Sequence, residues 1–146
     1  ADDLVVITAA MLVAFFATQD GGLASLVAGI YPAQFPGWLA LVATPVLMMA
    51  LSVVGIHPVI SSTALLATFS GGGADVHPAL LVQAHLIGWG AGTMSSIASL
   101  SVLTCAGLYQ VPARRLVLGH NMASGFAYAA GCGGLLVLAK FALGHV

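Results

Sequence analysis

Long apolar stretches, each closed by a short polar or glycine-rich interruption, make up nearly the whole chain. Residues 4–19 form the first, 16 positions ending at Asp20-Gly21-Gly22. That is slightly under the ~20 residues a helix needs to cross a bilayer without thinning it. Residues 22–31 read as a brief helix closed by Pro32 and Pro36, with Tyr31, Phe35 and Trp38 grouped as in a membrane-interface belt. Residues 37–55 are the second long stretch. Pro45 inside it frees a carbonyl and predicts a bend. The stretch stops at Gly55-Ile56-His57-Pro58, and because the residue before a proline is pushed out of helical geometry, His57 is expected at a break.

Beyond Ser61-Ser62-Thr63 only six apolar positions, residues 64–69, precede the loop Ser70-Gly71-Gly72-Gly73-Ala74-Asp75, too few to span. This order predicts a re-entrant hairpin with Ser61-Ser62-Thr63 at its tip; one helix with a broken end is the alternative. Pro78 suits the first turn of the next helix, with Asp75 near its positive end. Gly88, Gly90 and Gly92 then precede Thr93-Met94-Ser95-Ser96. Each glycine disfavours helix by about 1 kcal/mol relative to alanine, which predicts unwinding and a discontinuous helix. Its second half, residues 97–108, ends at Tyr109, Gln110 and Pro112, and residues 116–143 form a last long segment whose Gly131, Gly133 and Gly134 allow close helix packing. The expected fold is an all-α integral membrane protein with about four transmembrane segments, a re-entrant hairpin and a broken helix, in a single membrane domain over residues 1–146.

Composition supports the lipid setting. Of 146 residues 60% are hydrophobic, and seven are Asp, Glu, Lys or Arg, whereas a soluble domain carries roughly a quarter charged residues. Asp2, Asp3, Asp20, Asp75, Arg114, Arg115 and Lys140 punctuate the apolar stretches and avoid their middles. Arg114-Arg115, expected in a short loop after Pro112, would lie on the cytoplasmic side, and the inner (plasma) membrane is the expected location. A net charge of −1 gives no basic stripe, so nucleic acid is not an expected partner. Cys105 and Cys132 lack the close spacing of a zinc or redox motif and are expected as buried free thiols. The absent initiator Met suggests processing or a piece of a longer chain, and Asp2-Asp3 is unlike the basic start of a signal peptide.

Candidate chemistry centres on the two interruptions. Ser61, Ser62 and Thr63 offer hydroxyls that both donate and accept, beside backbone freed by a break. Thr93, Ser95 and Ser96, with Ser99, repeat the theme, and paired interrupted segments are the best pointer in sequence to a transport site. The alternative is that these hydroxyls only bond neighbouring carbonyls and aid packing. Of the five histidines, His57 at the break and His85 ahead of the glycines are candidates for proton or solute contact, while His77 and His145 read as wet segment ends. Histidines on facing helices also bind haem in electron-carrying membrane subunits, which makes a small structural or haem-binding subunit of a larger complex the second reading. No metal site, hydrolase nucleophile or intramembrane aspartate pair is apparent, so an enzyme is not expected.

Ser61-Ser62-Thr63-Ala64 at a hairpin tip, Gly92-Thr93-Met94-Ser95-Ser96-Ile97-Ala98-Ser99 at a helix break and the closing Gly107-Leu108-Tyr109 come in a characteristic order. That order resembles one inverted-repeat half of the ion transporter superfamily, the group that includes divalent anion/sodium symporters and the large permeases of tripartite carriers. Ser62 stands where the family has asparagine, and the second motif lacks the family's proline and asparagine. The resemblance implies a secondary transporter of a small anionic solute coupled to H⁺ or Na⁺. Its contacts would come from Ser61, Ser62, Thr63, Thr93, Ser95 and Ser96, and its hairpin domain would move elevator-fashion against a scaffold. It further implies a second half, as another chain, a homodimer or the rest of a longer parent, and no cofactor beyond Na⁺ as a possible coupling ion.

Overall fold

A computed structural model describes residues 35–69, 74–97 and 99–144, together with Val5, Thr8, Ala9, Leu12, Phe15 and Phe16, all six of them helical. Most of the expected first segment and the brief helix at 22–31 lie outside the described residues. Six helices follow: α1 (Gly37–Val53), α2 (Pro58–Phe69), α3 (Pro78–Ser95), α4 (Leu100–Tyr109), α5 (Ala113–Val117) and α6 (His120–Ala142). Among the described residues there is no strand, and one isolated bridge pairs Phe35 with Ala74.

Helices α1 and α3 run side by side in the same direction. Gly88 sits against Pro45 and Met48, and Gly92 against Ser52, so four residues onward on one helix is four onward on the other. Helix α6 runs the opposite way. Gly125 lies against Met49, Gly133 against Leu41 and Val42, and Lys140 reaches Asp75 just ahead of α3 with an Nζ–Oδ2 distance of 2.8 Å. Helix α2 also runs back: Pro58 lies by Gly92, while Phe69 at its far end joins Ala40, Ala74 and Leu81 in a buried cluster and stacks edge-on against Phe35. Helices α2 and α6 thus occupy the two grooves flanking the α1–α3 pair. A second cluster, Met49, Ala91 and Ala129 with Val46, Met122 and Phe126, fills the α6 side.

As expected, Pro45 lies inside α1 and the helix stops at Gly55, at φ 92°; other expectations change in detail. Gly55 N–H donates to Ser52 O at 3.0 Å and Ile56 N–H to Leu51 O at 2.9 Å, the paired bonds of a glycine-stopped helix. The Ser61-Ser62-Thr63 triplet is therefore not a non-helical tip. It lies within α2, because Pro58, with no N–H to lose, starts a helix one residue after His57. Gly88, Gly90 and Gly92 do not unwind α3, which continues to Ser95, with Gly88 and Gly92 packed too closely on α1 to admit a side chain. The discontinuity itself is present, further along. Helix α3 stops at Ser95, and α4 begins at Leu100 with the Ser99 hydroxyl accepting from Val102 N–H at 3.2 Å.

Arg114 and Arg115 are in α5, not a loop, since Pro112 starts a short helix. The last segment is interrupted by Gly119 at φ 111°, a backbone conformation open to glycine, and is helical again from His120. Both cysteines are free, yet Cys105 is exposed on α4 and Cys132 half-buried. Among the described residues, two stretches are long and apolar enough to cross a membrane, Pro78–Tyr109 over α3 and α4 and His120–Ala142.

Candidate functional site

The two helix breaks lie at one level of the bundle. Because α1 and α3 are parallel with Ser52 beside Gly92, the stop of α1 after Val53 and the stop of α3 after Ser95 come within a turn of each other. Pro58, the first residue of α2, closes on the same point: a methyl added to Gly92 would lie 2.6 Å from Ser52 Oγ and 3.4 Å from Pro58 Cγ. The carbonyl ends of α1 and α3 and the amide ends of α2 and α4 therefore flank one region, with partial negative and partial positive charge side by side.

The residues that start these helices explain how the chain turns there. His57 precedes Pro58, and its Nδ1 accepts from Val59 N–H at 3.3 Å. The same device recurs at α3, where His77 Nδ1 accepts from Ala79 N–H at 3.2 Å ahead of Pro78. In each case the imidazole does the work of a capping side chain, satisfying an amide that the helix leaves open. The His-Pro pairs were visible in the sequence, but there His77 reads only as a wet end. His57 also lies edge-on to Trp89, ring centroids 6.3 Å apart.

The hydroxyl candidates divide between two sides of the α1–α3 pair. Ser95 is buried beside Gly125 and Met49, in the groove that α6 fills, and Ser96 is buried next to it at the break. Ser61 is buried on α2, in the opposite groove. Taking Pro58 and Gly92 as level, Ser61 lies three residues to one side and Ser95 three to the other, so the two clusters are roughly 9 Å apart along the axis at 1.5 Å per residue. Ser61 Oγ donates to Pro58 O at 3.2 Å, Thr63 Oγ1 to Val59 O at 2.8 Å and Thr93 Oγ1 to Gly90 O at 3.0 Å. These three bonds stay within their own helices; Ser62 and Thr93 are half-buried.

Between the clusters is a residue that sequence reasoning missed. Ser52 is fully buried and donates to Met48 O at 2.8 Å, on the face of α1 that meets Gly92 and Pro58. The signal was a spacing: Thr44, Met48 and Ser52 recur every four residues, so two polar residues share one stripe of an otherwise apolar helix.

His85 is buried within α3, its Nδ1 2.8 Å from Leu81 O. Helices α1 and α2 contain no histidine and His120 is the first residue of α6, so no second imidazole faces His85 from them in the way haem ligation needs. Among the described residues no group of three or more His, Cys, Asp or Glu could hold a metal ion.

Among the described residues, charge is confined to the ends of this bundle. Lys140 and Asp75 pair at one end, and Arg114 and Arg115 lie at the other, ahead of His120. Lys140 lies twenty positions beyond His120 along α6, a rise of about 30 Å. Val82, Leu86 and Trp89 on α3 and Leu135 and Leu138 on α6 are exposed between those ends. Compared with protein-family models, curated proteins and solved structures, the chain matches none of them.

Proposed function

We propose that this chain is one half of a secondary transporter of the ion transporter superfamily type, carrying a small anionic solute across a membrane with H⁺ or Na⁺. The observation that carries the reading is the convergence of two helix breaks, residues 54–57 and the stretch from Ser96 to Ser99, at one level of a bundle in which no Asp, Glu, Lys or Arg is buried among the described residues. Amide ends of α2 and α4 suit a carboxylate or similar anion, and carbonyl ends of α1 and α3 suit a cation, so one region serves a solute and its coupling ion. An apolar belt about 30 Å tall between charged ends matches the hydrocarbon thickness of a bilayer and supports insertion of the bundle into lipid. Helix α2, at 12 residues, is too short to span and fits the returning arm of a re-entrant hairpin with α1.

In this reading Ser95 and Ser96 contact the solute at the break, Ser61, Ser62 and Thr63 line the returning arm, and Thr93 completes the rim. A second half, on a partner chain or a second copy, closes the other side of the site. His57 and His85 remain the candidates for proton contact.

The test is uptake of radiolabelled succinate, citrate and sulfate into proteoliposomes. Wild-type protein is expected to accumulate at least one of them under an imposed H⁺ or Na⁺ gradient. Ser62→Ala combined with Ser95→Ala should lower that uptake at least tenfold while leaving the helical content and melting temperature in place. Unchanged uptake in the double variant rules these hydroxyls out as the site.

A further inference from the structure

Two described residues bury a side-chain polar atom that has no hydrogen-bond partner: Thr44 through Oγ1 and His85 through Nε2. Both lie deep, 0% and 7% exposed respectively. The chemistry of the imidazole is fixed by its other nitrogen. Nδ1 is 2.8 Å from Leu81 O, and a carbonyl oxygen only accepts, so Nδ1 carries the hydrogen and Nε2 of the neutral ring is a bare acceptor. Thr44 brings one O–H donor and two lone pairs.

The helix register sets the two residues at about the same height. A methyl added to Gly88 would lie 3.0 Å from both Pro45 Cα and Met48 Cβ, so Gly88 is level with the stretch between them. His85, three residues earlier on the parallel helix, is level with Thr44. Thr44 shares its stripe of α1 with Met48 and Ser52, and His85 shares its stripe of α3 with Gly88 and Gly92, the faces that these two helices turn toward each other. One turn away, Ala40, Leu81 and Phe69 close the seam with an apolar cluster.

Leaving two such groups unpaired in the interior carries an uncompensated desolvation cost, and proteins meet that cost with small bound molecules, most often water. We propose that the α1–α3 seam holds a binding site for one small neutral hydrogen-bond donor, in its simplest form an internal water, bridging His85 Nε2 and Thr44 Oγ1. The occupant donates to Nε2 and exchanges its second hydrogen bond with the threonine hydroxyl. It is neutral because α1, α2 and α3 contain no Asp, Glu, Lys or Arg to balance an ion. This site stands independently of the transport reading.

The sign of one substitution separates an occupied site from a pair of idle polar groups. Thr44→Val keeps the shape and removes the hydroxyl. With an occupant bridging to His85, that change strands Nε2 and lowers the melting temperature by several degrees. If Thr44 Oγ1 is merely unpaired, removing it relieves a penalty, and the melting temperature stays level or rises, which overturns the proposal. In parallel, the full-length wild-type chain labelled with ¹⁵N-histidine in detergent micelles should give magnetisation transfer from water to the His85 ring, retained in Thr44→Ser and lost in Thr44→Val. Absence of that transfer in folded wild-type protein overturns the proposal whatever the variants do.

Discussion

Gly88 and Gly90 are two residues apart on the same helix and do opposite things. Gly88 faces α1, where an added methyl would come within 2.7 Å of Met48 Sδ and 3.0 Å of the backbone at Pro45. Backbone of a packed helix does not yield as a side-chain tip does, so Gly88→Ala is expected to destabilise the bundle by about 1–3 kcal/mol, as overpacking does. Gly90 faces open space, and Gly90→Ala is expected to stabilise by up to about 1 kcal/mol through helix propensity. Thermal melts of the two variants in the same detergent check the contrast; a like effect at both positions would mean that α3 does not pack on α1 in this register. Propensity alone counts both glycines as helix-breaking. The structure separates them by the face each occupies, and face depends on tertiary contacts that no local window contains.

At the scale of elements, what the sequence carried best were the stops and starts. Gly55, His57-Pro58, His77-Pro78 and Pro112 all stand at helix ends, because each acts through its own backbone geometry and needs no distant partner. What it carried less well was where a polar triplet sits relative to such a stop. Ser61-Ser62-Thr63 reads as a tip, yet the helix restarts before it, and Ser61 and Thr63 bond back to carbonyls of their own helix. The break in the second segment was legible as an event and shifted in position, from the glycines to Ser96, once close packing against α1 held the glycines helical. Ser52 and Thr44 were not singled out because a lone hydroxyl in an apolar helix gains meaning only from what lies across the seam.

The caps can be tested at this scale. His57→Ala removes the acceptor for Val59 N–H and should cost about 1 kcal/mol, whereas His57→Asn, with a side-chain oxygen able to cap, should recover most of it. Hydrogen exchange at the first turn of α2 reads this directly, with faster exchange in the alanine variant than in the asparagine variant. Equal exchange in both would assign the stability of that turn to Pro58 alone.

Across the whole molecule, the bundle is apolar outside as well as inside, with charges at two ends and breaks gathered at one level. In water such a surface would drive association; in a bilayer it faces its own kind of solvent, while the breaks need water or protein around them. These two settings predict opposite orders of chemical reactivity. Leu86 and Leu135, 60% and 64% exposed on the outer faces of α3 and α6, are more open in the chain than Ile56 and Ile97, 37% and 39% exposed at the two breaks. The deciding measurement places a single cysteine at each of the four positions, in a Cys105→Ser/Cys132→Ser background, and follows labelling by a membrane-impermeant maleimide in permeabilised native membranes. The account predicts that Ile56→Cys and Ile97→Cys react at least tenfold faster than Leu86→Cys and Leu135→Cys, reversing the order of bare exposure. Labelling of the outer positions as fast as the breaks would contradict it.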